Sequence, residues 1–169
     1  MIYVTVGSAI GGAEFDRLIK KVDDIAPFFE EEFIVQVGAS QYVPENMKWF
    51  DYVSYEESLE YFRKARLIIG HSGSGTIINA LSLGKPLVVI PRLVKFNENT
   101  NDHQLEIAKL LEQSQTVHVV YDVDDLEPVI RKTLREFRDS EKEFSSVDRE
   151  SLVSNMKEFL KSVRKQCGR

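Results

Sequence analysis

Residues 67–92 read LIIGHSGSGTIINALSLGKPLVVIPR, and the order of features within them decides the fold. Leu67–Ile69 is a short continuous apolar run, the pattern of a strand buried on both faces of a parallel sheet. It ends at Gly70. A loop holding two more glycines, Gly73 and Gly75, leads into Ile77, Ile78 and Leu81 at helical spacing. Gly84 closes that helix, and Pro86 just beyond it cannot continue one. Leu87–Ile90 is the next apolar run, stopped by Pro91. Strand, helix and strand in this order make a crossover unit, which keeps the two strands parallel.

The same rhythm extends in both directions. Upstream, Ile2–Val6 ends at Gly7, and Phe15, Leu18, Ile19, Val22 and Ala26 then share a helical face that Pro27 terminates. Phe33–Val37 is a strand stopped by Gly38, and Phe50–Val53 a weaker one. A helix over Glu56–Lys64 turns Leu59 and Phe62 inward. Downstream, the polar loop 92–102 leads to a helix from His103 to Glu112, then a strand over Thr116–Val120. Leu126, Val129, Ile130, Leu134 and Phe137 form a helical stripe, and Glu136 to Asp148 reads as partly loop. A final amphipathic helix puts Leu152, Met156, Phe159, Leu160 and Val163 on one side, with Lys157, Lys161, Arg164 and Lys165 beside them. The expectation is an α/β fold: a Rossmann-like parallel sheet with helices on both faces over residues 1–138, and a basic helical extension over 139–169. Ligands of such sheets sit beyond the carboxyl ends of the strands, so the loops opening at Gly7, Gly38, Ser54, Gly70 and Pro91 should converge.

Composition narrows the function. A chain of 169 residues makes one domain. Its net charge of −5 argues against general nucleic-acid binding. A single cysteine, Cys167, excludes an internal disulfide framework and fits a reducing, cytoplasmic setting. No apolar run approaches the roughly 20 residues a membrane helix needs, and the first residues lack the basic region of a secretory signal. The charge is uneven: Glu127 to Arg169 carries a net of +3 and residues 1–126 a net of −8. A solvated helix surface explains such a basic end, and so does an attachment segment.

Three loops hold residues suited to chemistry. Gly7-Ser8-Ala9-Ile10-Gly11-Gly12 follows a strand and precedes a helix, where backbone N–H groups can approach an anion. It matches neither G-x-G-x-x-G nor the P-loop pattern, and a capped flexible loop explains it as well. Gly70-His71-Ser72-Gly73-Ser74-Gly75-Thr76 rings one histidine with three glycines and three hydroxyls. It holds no lysine, which disfavours a Mg-nucleotide hydrolase. Asn101-Asp102-His103-Gln104 opens a helix, and capping and sugar binding fit it equally. His118, inside a strand run, reads as structural. Two histidines and Asp102 lack the H-x-x-x-H or H-E-x-x-H spacing of a metal site.

HSGSGTIINALSLGKPLVVIPR followed by NDHQLEIAKLLE resembles the sugar-nucleotide-binding half of family 28 glycosyltransferases. The likeness lies with the small cytosolic donor-binding subunits of two-part UDP-sugar transferases, of the kind used in dolichol-linked N-glycan assembly and in bacterial capsule and exopolysaccharide synthesis. It extends over about residues 1–135, with VTVG, FDRLI and VQVG in support. The pairing of H-x-G-x-G with N-x-H-Q across one strand is more specific than either motif alone. The resemblance implies the C-terminal half of a GT-B enzyme, in which an acceptor hydroxyl attacks the anomeric carbon of a UDP-sugar such as UDP-N-acetylglucosamine with inversion, without a metal or other cofactor. It also implies a heterodimer with a membrane-anchored subunit that holds a lipid-linked saccharide acceptor and recruits this chain peripherally to the membrane.

By position, the resemblance puts the loop at Gly7–Ser8 and the Gly73–Gly75 turn at the diphosphate, with the loop hydroxyls of Ser72, Ser74 and Thr76 as further candidate contacts, and Ser54 and Tyr55 at the uracil. Asn79 stands where relatives carry a ribose-binding acid, and Asp102, His103 and Gln104 fall at the donor sugar. His71 is the local candidate for general base. Two other readings stay open: a non-catalytic nucleotide-sugar-binding or scaffold module, and a stand-alone sugar-nucleotide epimerase, which the short chain disfavours.

Overall fold

A computed structural model describes residues 1–7, 14–112 and 117–140, together with Ser154. The apolar runs become six strands: β1 (Ile2–Thr5), β2 (Phe33–Gln36), β3 (Lys48–Phe50), β4 (Leu67–His71), β5 (Leu87–Ile90) and β6 (Val117–Val119). Between and after them lie five helices: α1 (Asp16–Ile25), α2 (Tyr55–Lys64), α3 (Ser74–Ser82), α4 (His103–Leu111) and α5 (Leu126–Ser140). Every strand pairing is parallel, in the order β3-β2-β1-β4-β5-β6. That is the doubly wound order, and it reverses between β1 and β4.

Strand alternation sorts the core into two layers. Ile2, Val4, Phe33, Val35, Leu67, Ile69, Val88 and Ile90 meet α1 and α5 on one face. Tyr3, Ile68, Leu87 and Val89 meet α2, α3 and α4 on the other. Helices thus cover both faces, as expected. Aromatic contacts fix α2: Phe62 sits edge-on to Tyr3 at 5.4 Å, and Tyr61 stacks on Tyr3 at 5.3 Å and on Phe50 at 5.0 Å. Such pairs contribute roughly 0.5–1.5 kcal/mol each beyond the area they bury.

Most boundaries agree with the sequence reading. Pro27 stands in the short 3-10 turn that ends α1. Gly84 takes φ +64 and closes α3 with the bonds Lys85 N–H to Ala80 O and Gly84 N–H to Leu81 O, a Schellman pair. Two boundaries move. The third strand is Lys48–Phe50 rather than 50–53, because Ile34–Gln36 of β2 pair with Lys48–Phe50 and the chain leaves the sheet edge at Asp51. The helix after β6 continues through the charged residues to Ser140. His118 lies in β6 with its Nε2 3.2 Å from Glu136 of α5, a structural pairing. The extension from 141 onward, with its expected amphipathic helix, lies outside the described residues apart from Ser154. Among the described residues no helix is long and apolar enough to cross a membrane.

Candidate functional site

The strand order reverses between β1 and β4, so the loops that follow these two strands flank one crevice. A cavity of about 390 Å³ opens there, between the start of α2 and the start of α3. Thr5, Gly7 and Gln36 come to it from the ends of β1 and β2. Val53, Tyr55, Ser58 and Phe62 come from the α2 side. His71, Gly73, Ser74, Gly75, Thr76 and Asn79 come from β4 and α3.

The start of α3 suits an anion. Its N-cap residue is Gly73, which has no side chain to cap the helix, and the first intrahelical bond runs from Ile77 N–H to Gly73 O. The N–H groups of the first turn therefore lack intrahelical acceptors, and the helix dipole adds partial positive charge at the same place.

His71 is fixed by glycines. A Cβ built on Gly7 or on Gly73 would fall on the imidazole ring, so both positions must lack side chains while the ring stays there. Gly7 also adopts φ +72, a left-handed conformation that favours glycine. At Gly75, by contrast, a Cβ would meet nothing within 4 Å. Burial, reinforced by the nearby Arg92 guanidinium, pushes the His71 pKa down to about 3, while a hydrogen bond with the Thr5 backbone pulls weakly the other way. At neutral pH His71 is an uncharged hydrogen-bonding group, with Nδ1 3.5 Å from the Thr76 hydroxyl.

Arg92 supplies the buried positive charge. It is 5% exposed, donates from Nη2 to Val6 O at 2.9 Å and lies 5.3 Å from the Phe15 ring centroid. Its Nε and the hydroxyl of fully buried Ser72 are the buried side-chain polar atoms without a partner among the described residues.

Of the residues singled out from sequence, the cavity gathers Gly7, Tyr55, His71, Gly73, Ser74, Gly75, Thr76 and Asn79. Tyr55 donates to Asn79 Oδ1 at 3.3 Å, which links α2 to α3 beside the cavity. Ser8 lies outside the described residues. The others are used elsewhere. Ser54 caps α2 in a reciprocal capping box with Glu57, a signal legible as S-x-x-E. Ser72 points into the interior. Gln104 Oε1 accepts from Arg92 N–H at 3.0 Å and Asp102 Oδ1 from Val94 N–H at 3.4 Å. The His103 ring faces Glu106 at 3.1 Å. Asn101 accepts from His103 N–H, so it is Asn101 that caps this turn. None of Asp102, His103 and Gln104 lines the cavity. Sequence reasoning missed Thr5, Gln36, Ser58 and Arg92. A polar residue ending an apolar strand, as in FIVQ, was the available signal for Gln36.

Comparison with known proteins agrees with this architecture. The model of the glycosyltransferase family 28 C-terminal domain matches residues 1–165. The human UDP-N-acetylglucosamine transferase subunit ALG13 is 37% identical over 122 residues, which is 65% of this chain and 10% of that protein. The chain therefore spans only about a tenth of the length of this relative. Among solved structures, that of ALG13 determined by NMR superposes with a TM-score of 0.55 at 20% identity, covering 80% of this chain and 85% of that one. The spinosyn forosaminyltransferase SpnP gives a TM-score of 0.60 at 16% identity, covering 99% of this chain and 44% of that one. With the family model matched from the first residue to 165, the chain belongs to glycosyltransferase family 28, as its C-terminal domain.

Proposed function

We propose that this chain is the donor-binding subunit of a split glycosyltransferase, which moves a sugar from a UDP-sugar to a lipid-linked saccharide held by a second, membrane-anchored subunit. The observation that carries the reading is the cavity at the β1/β4 reversal, where Tyr55, His71, Asn79 and the uncapped start of α3 converge. The diphosphate sits at the first turn of α3, where Ser74 and Thr76 add hydroxyls to the backbone N–H groups. Charge that develops on the departing UDP meets these fixed donors, which need no reorganisation during reaction. Asn79, with its oxygen engaged by Tyr55, offers its amide to the ribose.

The acceptor hydroxyl attacks the anomeric carbon in line, with inversion. An imidazole held near pKa 3 accepts a proton poorly at neutral pH, since a general base works best with a pKa close to the operating pH. The base is therefore assigned to the partner, and His71 to neutral hydrogen bonding of the donor. The name of the human relative supports N-acetylglucosamine as the sugar and a multi-subunit enzyme. On this reading the step needs no metal, and the chain is held at the cytoplasmic membrane surface by its partner. Residues 139–169 are the docking segment on this reading.

Titrating UDP into the full chain and into His71→Ala and Asn79→Ala tests the site. Affinity falling about tenfold in each variant supports it, and equal affinity in all three removes it. Transfer to a lipid-linked acceptor by the chain reconstituted with its partner tests the activity. Binding without transfer would leave a non-catalytic module.

A further inference from the structure

The floor of the cavity holds a polar side chain whose hydrogen bonding is only half complete. Gln36 ends β2. Phe33 and Val35 of that strand pack toward α1 and α5, so alternation turns Gln36 to the opposite face, beneath α2. Its register partner on β1 is Thr5. The Thr5 hydroxyl accepts from Gly7 N–H at 3.0 Å and donates to Gln36 Oε1 at 2.8 Å. The Tyr3 hydroxyl reaches the same oxygen at 3.5 Å. The Thr5 hydroxyl already accepts from Gly7 N–H, and its one proton goes to the amide oxygen; turning the amide over would leave that proton without this acceptor.

The amide nitrogen is left. It donates to no described residue, yet it is not among the sealed-off buried atoms that lack partners. Gln36 is 6% exposed and lines the cavity, so its nitrogen reaches solvent through that opening. Around it the cavity offers Tyr55 and Phe62 as aromatic surfaces and Ser58 as a second polar group. A fixed donor beside aromatic surfaces fits the edge of a flat ring that carries a carbonyl oxygen.

We infer that Gln36 reads the nucleobase: its N–H group donates to the 4-carbonyl oxygen of a pyrimidine, so that uracil is accepted and cytosine, which presents an amino group there, is refused. Thr5 is the positioning residue that holds the amide in this sense. The inference rests on reading the cavity as a nucleotide-sugar site and adds the residue that selects the base. A site built to pair one hydrogen-bonding group leaves buried polar atoms unmatched when the wrong base enters, and this is the source of discrimination.

The test is calorimetric titration of UDP and of CDP into the full chain and into Gln36→Met, Gln36→Glu and Thr5→Val, each checked for folding by circular dichroism. The unaltered chain should prefer UDP by about tenfold or more, the effect of one well-placed hydrogen bond. Gln36→Met should weaken UDP by that factor and leave CDP unchanged. Gln36→Glu, now an acceptor, should reverse the preference. Thr5→Val should lower the UDP-to-CDP ratio by freeing the amide to turn, a change that simple loosening of the fold would not produce. If Gln36→Met does not fold, Thr5→Val reports on the same ratio. A folded Gln36 variant that keeps the original ratio overturns the inference. Equal affinity of the unaltered chain for UDP and CDP also overturns it while sparing the nucleotide site, and binding of neither removes the site itself.

Discussion

The turn after β4 is made of histidine, serine and glycine and the loop after β5 of charged, amide and apolar residues, and the structure uses the two in opposite ways. At the first, Gly7 and Gly73 clear space for the His71 ring, and the helix start is left uncapped beside an open cavity. At the second, polar groups satisfy one another. Glu98, 4% exposed, takes both Nε and Nη2 of Arg17, at 2.9 and 3.0 Å, and also accepts from Leu93 N–H. Arg17 reaches back to Pro91 O, Gln104 holds Arg92 N–H, and Asp102 accepts from Val94 N–H. The difference follows from backbone needs. The two residues between β4 and α3 have few backbone groups to satisfy, whereas the twelve between β5 and α4, with one 3-10 turn, need side chains as substitutes.

The largest expected effect tests the self-satisfied loop. Glu98→Ala leaves Arg17 and Leu93 N–H without their acceptor. Breaking a buried pair by removing one partner costs about 3 kcal/mol or more. Chemical denaturation should show that loss, while UDP affinity of the remaining folded protein stays within about twofold. A drop in affinity as large as the drop in stability would merge the two regions into one site and end the contrast.

Next in size is a pH effect from the open region. His71 titrates near 3 in the folded chain and near the usual 6.5 when unfolded. Below 6.5 the unfolded state binds a proton that the folded state refuses, so stability falls as pH drops from 6.5 toward 3 and is complete above 6.5. The slope is about 1.4 kcal/mol per pH unit, or about 2 kcal/mol lost by pH 5. Burial also lowers the His118 pKa, which works in the same direction. Denaturant midpoints between pH 7 and 5 should show the slope, and His71→Asn should flatten most of it. An unchanged slope in that variant would mean that His71 titrates normally and is not clasped as described.

The contrast also explains what could be read from sequence. Apolar runs, Gly84, Pro27 and the spacing of Ile77, Ile78 and Leu81 carried the sheet, the helices and the crevice, because each is a local cause with a local effect. His71 and its glycines were legible for the same reason. Gln104 and Asp102 were not: whether a polar side chain faces a ligand or a distant backbone N–H depends on the path of the loop, which no local pattern encodes. Arg92 and Gln36 were hidden inside or beside apolar runs, where a buried polar residue resembles an ordinary strand end.

A smaller effect sharpens the role of the glycines. Gly73 has φ −83, which alanine tolerates, so Gly73→Ala acts chiefly through the ring it would strike. It should weaken UDP about tenfold, or about 1.4 kcal/mol, whereas Gly75→Ala should bind as before. In a His71→Ala background the ring is gone and Gly73→Ala should cost little more. This non-additivity is the signature of direct contact. Additive losses would place the effect of Gly73 elsewhere, in the approach of the diphosphate to the backbone.

The smallest effect concerns Gln104, where the two regions come nearest to each other. Its Oε1 holds the N–H of Arg92, whose side chain lies close enough to His71 to depress its pKa. Gln104→Ala removes one neutral hydrogen bond to a part-buried donor, worth about 1 kcal/mol of stability. If Gln104 serves only the loop, UDP affinity holds and the His71 titration stays put, because the Arg92 guanidinium keeps its bond to Val6 O. If instead UDP-sugar binding falls tenfold while stability is unchanged, the side chain leaves the loop to meet the donor sugar. The self-satisfied arrangement would then be the resting state of a second binding loop. Gln104→Glu separates the cases further, since a carboxylate keeps the acceptor for Arg92 N–H and loses the amide donor that a sugar hydroxyl would use.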